Sequence, residues 1–239
     1  PNATEVCGDA IDQDCSGADL ACPLISNACS SAYKESNGIV AIEAENYHSI
    51  KAGISNSWIL RSDVADFSSS GFMRAEPDAG NSHDTAFAAN APMLGYNVSF
   101  STAGTYHVWV RGFATDGASD SVHVGLDGKE ISTSDRINAF TSSWAWHKDT
   151  MDAATATIAI TSGEHVINAW MREDGFRFDK IILTTDSAFA PSGISANQST
   201  CSIPSPVDVT PPVISSITVT TSAVLANISW NTNEGSDST

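Results

Sequence analysis

Basic residues and long apolar runs are both scarce in this sequence of 239 residues. Only 11 Lys and Arg stand against 28 Asp and Glu, which leaves a formal net charge of −17. A field of that sign repels nucleic acid and anionic membranes, so neither is expected as a partner. No apolar run approaches the roughly 20 residues that a membrane-spanning helix requires. The acidic excess favours bound calcium instead, because hard cations select oxygen ligands.

Familiar catalytic patterns are lacking as well. The HEXXH, GXSXG and phosphate-loop patterns do not occur, although each of them would have marked a specific reacting group. A non-catalytic protein is therefore the first expectation. An enzyme fragment acting on glycans stays open as an alternative, since Glu173 together with another carboxylate is chemically able to form an acid/base pair.

The five cysteines lie at positions 7, 15, 22, 29 and 201, so four of them fall close to the N-terminus. This clustering predicts disulfides in an oxidising compartment, with one cysteine left over or paired outside the chain. Zinc is the competing interpretation, but no C-x-x-C pair occurs. We therefore expect a secreted or cell-surface bacterial protein. The opening "PNATEVC" carries no signal peptide, which suggests a segment of a longer chain.

Residues 1–34 form a Cys- and Asp-rich segment. In "CGDAIDQDCSGADLAC", oxygen side chains at alternating positions precede a glycine, as a short calcium loop requires. The pattern resembles the Asp-rich calcium repeats of thrombospondin type 3 and a Cys-containing metal-binding motif of secreted bacterial proteins, although it lacks the twelfth-position Glu of an EF-hand. The alternative is a solvated acidic linker held by a Cys7–Cys15 bridge. The predicted structural Ca²⁺ ligands are Asp9, Asp12, Asp14 and Asp19.

Residues 35–187 carry most of the strand signals. Apolar and polar side chains alternate in "MLGYNVSF" and "TYHVWVRGF", and similar short runs are separated by Gly, Asp and Ser turns. No stretch shows a helical stripe of useful length. The sequence therefore predicts an all-β fold, an antiparallel β-sandwich of the jelly-roll type.

The C-terminal part of the chain changes in composition. Residues 188–212 are rich in Pro, Ser and Thr and predict a linker. Residues 213–239 give two strand-like runs that resemble the opening of a fibronectin type III-like or related immunoglobulin-like module. Two strands are too few for an independent sandwich, so we interpret this segment as truncated.

Three carboxylates sit where core strands are predicted. Glu43 and Glu45 are two residues apart in a strand and so project from one face, and Asp179 interrupts the Phe/Ile-rich last strand. Buried carboxylates are costly unless they are paired or bound to a metal. One shared cation would satisfy all three. Arg or Lys are the alternative partners, although alternation places Lys180 on the opposite face.

Three motifs together carry a resemblance that spans about residues 38–186. "IEAENY", "YHVWVRG" and "FDKIIL" are similar to the galactose-binding-like jelly rolls of carbohydrate-binding module families 6 and 35. The "WMREDGF" ending also resembles the carbohydrate-binding-like C-terminal domain of some bacterial glucuronidases. The resemblance implies a structural calcium held by Glu43, Glu45 and Asp179. The Asn that often precedes the closing strand of family 6 modules is replaced here by the acidic "REDG" turn.

Sugar sites combine aromatic platforms with planar polar groups that bind pairs of hydroxyls. Tryptophans in polar stretches and the charged turn before the last strand supply both kinds of group. The alternatives are two core tryptophans in "TSSWAWHKD", and an internal ion-paired turn in "REDG". The loop with His83 and Asp84 is a weaker candidate. The predicted carbohydrate-binding residues are Trp58, Arg61, Trp144, Trp146, Arg172, Glu173, Asp174 and Arg177.

We interpret the chain as a non-catalytic polysaccharide-binding module that targets an attached enzyme, alongside other modules, to its glycan. A cell-surface adhesion or matrix module with no attached enzyme is the alternative. The net charge disfavours strongly anionic chains unless Arg61, Arg111, Arg172 or Arg177 converge to offset the field locally. Neutral or lightly charged polysaccharides are favoured, with an algal galactan and xylan both allowed, while the glucuronidase-like ending mildly favours uronate-bearing chains.

Overall fold

A computed structural model describes residue 29, residues 31–201 and residues 214–232. The chain divides into two compact units, residues 1–203 and 204–239. Within the described residues, no helix is long and apolar enough to cross a membrane. The predicted calcium ligands Asp9, Asp12, Asp14 and Asp19, and the alternative Cys7–Cys15 bridge, lie outside the described residues.

Nearly all regular structure in the described residues is β-strand. The one helix given there, α1 (Phe87–Asn90), has four residues. The strands are β1 (Tyr33–Lys34), β2 (Ile39–Glu43), β3 (Ser49–Lys51), β4 (Ser57–Arg61), β5 (Phe72–Glu76), β6 (Met93–Phe100), β7 (Gly104–Phe113), β8 (Val122–Leu126), β9 (Ala145–His147), β10 (Thr157–Ile160), β11 (Gly163–Met171), β12 (Arg177–Thr184), β13 (Ile214–Thr221) and β14 (Ala226–Thr232).

Two sheets build the first unit. A seven-stranded sheet has the order β10-β7-β12-β5-β4, with β2 also pairing with β12 and β9 with β7. A five-stranded sheet has the order β1-β6-β11-β8, with β3 also pairing with β6. The pairings are antiparallel except for β1 with β6. The predicted all-β antiparallel sandwich is thus confirmed.

The core follows from the alternation in the sequence. In β6, Leu94, Tyr96 and Val98 are completely buried, and in β7 Tyr106 and Val108 are buried in the same way. They belong to one hydrophobic cluster that includes residues of both sheets. Each such side chain stabilises the fold by about 1.5–3 kcal/mol through removal of its apolar surface from water.

Strand β12 is the central strand of the larger sheet, and its register changes along its length. Its residues 180–184 pair with β2, whereas Arg177 and Phe178 pair with β5. The pairing with β7 shifts between Phe178 and Lys180, which places a β-bulge at Asp179. Asp179 therefore lies where β2 gives way to β5, and its backbone carbonyl accepts a hydrogen bond from the Ala44 N–H at 2.9 Å.

The chain after β12 does not leave the sandwich at once. We predicted a linker over residues 188–212, yet the first part of this range runs along the sheet. Ser199 exchanges hydrogen bonds with the backbone of Ala41 on the free edge of β2. A disulfide then joins Cys201 to Cys29, with their Cα atoms 5.4 Å apart. Cys7, Cys15 and Cys22 lie outside the described residues.

The second unit is described over residues 214–232. Strands β13 and β14 form an antiparallel pair, and the apolar side chains of Val219, Ile228 and Trp230 are exposed. The predicted pair of strands is present. Its assignment to a fibronectin type III-like or immunoglobulin-like module stays a prediction.

Candidate functional site

An open cavity of about 470 Å³ adjoins the C-terminal half of β7. It combines two aromatic rings, a guanidinium, a carboxylate and two serine hydroxyls, which is the mixture that hydroxyl-rich ligands require. Of the residues that line it, the sequence predicted Trp144 as a binding residue and Arg111 as an offsetting charge. The lining is Val64, Ala65, Asp66, Arg111, Phe113, Ser142, Ser143 and Trp144.

The Trp144 ring is half-buried and held in one orientation. Its indole N–H donates to the Ala65 carbonyl at 2.7 Å. The ring centroids of Phe72 and Phe113 lie 5.2 and 5.4 Å from it, and the Arg111 guanidinium lies 5.4 Å from its centroid. A ring fixed in this way needs little ordering when a ligand stacks on it.

Arg111 is buried and links three parts of the structure to the cavity wall. Its Nη1 lies 2.6 Å from Oδ2 of Asp179, its Nη2 donates to the Asp66 carbonyl at 3.0 Å, and its Nε donates to the Gly193 carbonyl at 3.1 Å. One guanidinium thus joins β12, the loop after β4 and the chain after β12.

The carboxylate of Asp179 is fully buried and satisfied from two sides. Beyond Arg111, it accepts hydrogen bonds from the Ser68 N–H at 2.8 Å and the Ser68 hydroxyl at 3.0 Å. The same hydroxyl contacts Oε2 of Glu43. Burial raises the pKa of Asp179 despite the opposing hydrogen bonds from Arg111 and Ser68.

Lys180 supplies the charge that balances Glu43. Its Nζ lies 2.7 Å from Oε1 of Glu43, with both side chains buried, and it also donates to the Ile194 carbonyl at 3.2 Å. The expectation that Lys180 points to the opposite face is wrong. Lys180 and Glu43 stand directly opposite each other in the β12–β2 register, so their side chains share a face.

Glu45 completes the group of carboxylates for which a calcium ion was predicted. Its Oε1 accepts hydrogen bonds from the N–H and the hydroxyl of Ser70, at 3.1 and 3.0 Å. Its Oε2 is buried and has no hydrogen-bond partner. Burial is the largest cause of a raised pKa at Glu45, with a smaller contribution from the charge of Glu43.

The three carboxylates do not fit a calcium ion in this arrangement. Calcium takes six to eight oxygen ligands, but Glu43 and Asp179 face Lys180 and Arg111, which leaves the single free oxygen of Glu45. No group of three His, Cys, Asp or Glu side chains suited to a metal occurs within the described ranges. Lys and Arg, the alternative partners considered from the sequence, fill the place of the shared cation.

The charged turn "REDG" is occupied with internal contacts. Arg172 Nε lies 2.8 Å from Oδ1 of Asp84, and its Nη1 donates to the Ser121 hydroxyl at 2.8 Å and to Glu173. The Asp174 carboxylate is completely buried and accepts the N–H groups of residues 79, 80 and 81. The structure places these side chains in the internal ion-paired turn that was the alternative to ligand contact.

Glu173 has an acidic neighbour. Its Oε2 accepts the Asp120 N–H at 2.9 Å and the Ser121 hydroxyl at 2.6 Å. Burial, followed by the charge of Glu173, raises the pKa of Asp120 to about 6. A carboxyl group with a pKa in this range is suited to proton transfer, because a general acid or base works best when its pKa is near the operating pH.

Two predicted residues on β4 lie away from the cavity lining. Trp58 is only 1% exposed and its indole N–H donates to the Pro92 carbonyl at 3.0 Å, so the predicted platform is a core residue. Arg61 forms a two-pronged ion pair with Glu76, with nitrogen–oxygen distances of 2.8 and 2.6 Å.

Two other predicted residues do not line the cavity, but each contacts either a residue that lines it or a residue that is hydrogen-bonded to the lining. The Arg177 guanidinium lies 5.1 Å from the ring centroid of Phe113, and burial together with the charge of Arg74 lowers its pKa. Trp146 is half-buried and its indole N–H donates to the Gly193 carbonyl at 2.9 Å. The sequence missed Phe113 as a wall residue, although it ends the alternating run "TYHVWVRGF" on the face of Arg111.

Several solved carbohydrate-related structures are similar to this chain. A GH26-CBM35 β-(1,4)-mannanase of Podospora anserina is 15% identical with a TM-score of 0.47, covering 65% of this chain and 29% of that one. A family 35 carbohydrate-binding module from Clostridium thermocellum is 16% identical with a TM-score of 0.43, covering 61% and 96%. The CBM35 from Paenibacillus barcinonensis is 15% identical with a TM-score of 0.45, covering 62% and 99%.

A protein of Formosa agariphila, "Uncharacterized protein P23", is 28% identical over 192 residues, and the match covers 66% of this chain and 46% of that protein. The chain thus spans less than half the length of this curated relative. The family "Glycosyl hydrolase family 115 C-terminal domain" matches residues 32–197. This range contains the whole cavity lining and both buried ion pairs.

Proposed function

Because the chain belongs to the glycosyl hydrolase family 115 C-terminal domain family, we propose that its β-sandwich is a non-catalytic polysaccharide-binding module. The module would target an attached enzyme, carried with other modules on a secreted bacterial protein, to its glycan. The Cys29–Cys201 disulfide supports an oxidising location outside the cytosol. The carbohydrate-binding modules named among the similar structures agree with this class of ligand.

The observation that carries the proposal is the cavity beside Trp144. Sugar rings stack their C–H faces on an indole, and the polar groups around the ring then select the hydroxyl pattern. Trp144 offers such a ring, while Ser142 and Ser143 offer hydroxyls and Asp66 a carboxylate along the same wall. The site is shallow and open, and a site of this kind gains strength from tethering to other modules.

The charges around the cavity bear on the choice of glycan. The net charge of −17 disfavours strongly anionic chains. Arg111 lines the cavity together with Asp66, and Arg177 lies over the ring of Phe113, so positive side chains stand beside the negative one at this wall. We favour a neutral or lightly charged polysaccharide, with an algal galactan and xylan as first choices.

The test is affinity electrophoresis in gels that contain agarose, carrageenan, alginate, xylan or glucan. Trp144→Ala removes the platform. Trp109→Ala is the matched control, because Trp109 is a half-buried tryptophan of β7 that does not line the cavity and packs under the Lys148 ammonium at 5.1 Å. We expect one gel to retard the wild type and Trp109→Ala but not Trp144→Ala.

Two results would contradict the proposal. If no gel retards the wild type, binding to these five polysaccharides is refuted, and the alternative of a structural adhesion or matrix module is favoured. If Trp109→Ala alone abolishes retardation, the protein binds glycan, but the cavity is not where it binds.

One observation favours a second candidate, an enzyme fragment acting on glycans. The pKa of Asp120 is raised to about 6 beside Glu173, which matches a proton-transfer pair. Glu173 is engaged by Arg172, Ser121 and a backbone N–H, which supports a structural role instead. Incubation of the full chain with end-labelled oligosaccharides decides between them, and we expect no cleavage.

A further inference from the structure

The chain after β12 runs across side chains of the seven-stranded sheet in residues 193–201, here called the strap. Its backbone carbonyls serve as acceptors for these side chains. The Gly193 carbonyl accepts from Arg111 at 3.1 Å and from the Trp146 indole at 2.9 Å. The Ile194 carbonyl accepts from Lys180 at 3.2 Å. Arg111 lines the cavity, so the strap reaches the wall of the site through one hydrogen bond.

The remainder of the strap is fixed to the first strands. The Gln198 side-chain oxygen accepts the Glu43 N–H at 3.1 Å and the Asn46 side-chain N–H at 2.8 Å. The Thr200 carbonyl accepts the Lys34 N–H at 2.9 Å. The bonds to Glu43 and to the Ala41 backbone use the edge of β2 that no strand of the described residues covers. The strap thus acts in place of a neighbouring strand.

The strap ends at a covalent anchor. Cys201 is bonded to Cys29, 172 positions away in the sequence, and Cys29 is buried against the core. A disulfide that closes so long a loop removes much of the freedom of the segments it joins. The strap is held by β12 at one end and by this bond at the other.

We propose that the strap is a positioning element for the binding cavity, which fixes Arg111 and Trp146 and is itself held in place by the Cys29–Cys201 disulfide. Arg111 has five N–H donors, and two of its nitrogens bond to backbone carbonyls outside the β-sheet, Nη2 to Asp66 and Nε to Gly193. Gly193 presents its carbonyl in a left-handed backbone conformation with φ of +55°, which favours glycine over residues with a side chain. The expected effect of the strap on glycan affinity rests on the proposed function. Its expected effect on the position of the Trp146 side chain does not.

The experiment measures the full chain by NMR, using the rate at which each indole N–H exchanges with water. Gly193→Pro forces φ to about −65°, which turns the carbonyl away from Arg111 and Trp146 while leaving the disulfide intact. Cys29→Ser/Cys201→Ser removes the anchor. Gly117→Pro is the matched control, because Gly117 is an exposed glycine of another turn with open space around it.

In both strap variants we expect the Trp146 indole N–H to exchange about tenfold faster, as a side-chain hydrogen bond is lost. The Trp58 indole N–H, which donates to the Pro92 carbonyl inside the core, should keep its wild-type rate and so report that the sandwich is folded. Gly117→Pro should leave both rates unchanged. Retardation in the glycan-containing gel should fall at least about threefold in the strap variants alone.

Unchanged Trp146 exchange in Gly193→Pro would overturn the positioning role of the strap. If the strap variants show faster Trp146 exchange but wild-type retardation in the gel, the strap does not affect glycan binding, and its positioning role for the cavity is overturned. If the wild type binds no glycan, the proposed function fails, and Trp146 exchange still decides whether the strap holds its tryptophan. If the double serine variant does not fold, as judged by Trp58, the exchange rates of Gly193→Pro alone decide whether the strap positions Trp146.

Discussion

The Lys180 ammonium lies 2.7 Å from the Glu43 carboxylate, and both groups are removed from water between the second and the twelfth strand. The pair joins the first long strand of the sandwich to its last. A few residues away, Arg111 makes the equivalent contact to Asp179 at 2.6 Å. Positive side chains therefore occupy the junction at which the sequence suggested a metal ion.

Replacement of Lys180 by Met should destabilise the sandwich by about 3–5 kcal/mol, because Glu43 would then be a buried charge without its partner. Urea unfolding followed by tryptophan fluorescence measures the change. The control is Glu43→Gln/Lys180→Met, which removes both charges and should recover most of the loss. A loss below about 1 kcal/mol in the single variant would show that the pair is not essential to the junction.

Calcium titration by calorimetry separates the two predicted metal sites. Asp12→Ala should abolish the binding heat if the N-terminal acidic loop holds the ion. Glu45→Gln should leave the stoichiometry unchanged, since Glu45 offers only one free oxygen at the junction. Loss of one bound calcium in Glu45→Gln would show that a metal competes with Lys180 and Arg111 for the carboxylates.

Arg172→Ala should lower stability and spare glycan binding. Its guanidinium bonds to Asp84, Ser121 and Glu173 inside the turn before β12. Loss of these contacts should cost about 2–4 kcal/mol. Urea unfolding and gel retardation are measured together, and Trp144→Ala, unlike Arg172→Ala, should lose retardation. If Arg172→Ala instead loses retardation at unchanged stability, Arg172 contacts the glycan, as the sequence predicted.

The stability of the protein should carry a pH dependence from His123. Burial is the main cause that lowers its pKa from 6.5 to about 4. Its ring stacks on Phe87 at 3.8 Å, one nitrogen lies 2.7 Å from the His83 carbonyl, and the other lies 3.0 Å from the Arg136 N–H. A neutral ring satisfies both contacts, because it donates through one nitrogen and accepts through the other.

The direction of this pH dependence follows from the two pKa values of His123. The unfolded chain is protonated at His123 near pH 6.5, whereas the folded protein is protonated there only near pH 4. This contribution is fully present above pH 6.5, and about 3 kcal/mol is lost as the pH falls to 4. Asp120, whose pKa is raised to about 6, acts in the opposite direction in both proteins. The stability gap between wild type and His123→Gln should therefore shrink over this window, and a constant gap would refute the assignment.

The strands with clear alternation could be predicted from the sequence, and the contacts between them could not. "MLGYNVSF" became β6 without a change of boundary, because its apolar face meets a single core. Trp58 follows a polar stretch, and nothing in its local sequence shows that it packs against Phe178 at a ring distance of 6.2 Å. Burial of a residue beside a loop depends on which distant strand covers it.

The error at Lys180 has a definite cause. Strict alternation puts Asp179 and Lys180 on opposite faces, but the bulge between Phe178 and Lys180 breaks the two-residue period. A bulge is a property of the pairing with β7, so it leaves no mark in the β12 sequence itself. The cavity is equally non-local, because it draws Asp66, Phe113 and Trp144 from three separated segments.

The bond between Cys29 and Cys201 also has a mechanical consequence. In a protein that holds a polysaccharide while its flanking chain is pulled, tension would reach the sandwich through the chain segments that carry these two cysteines. The two Cα atoms are 5.4 Å apart, and the disulfide is the shortest route between them. Tension applied at the two cysteines would pass along that route and bypass all twelve strands of the two sheets. The sandwich would therefore bear load without being stretched, and its binding surface would keep its shape under shear.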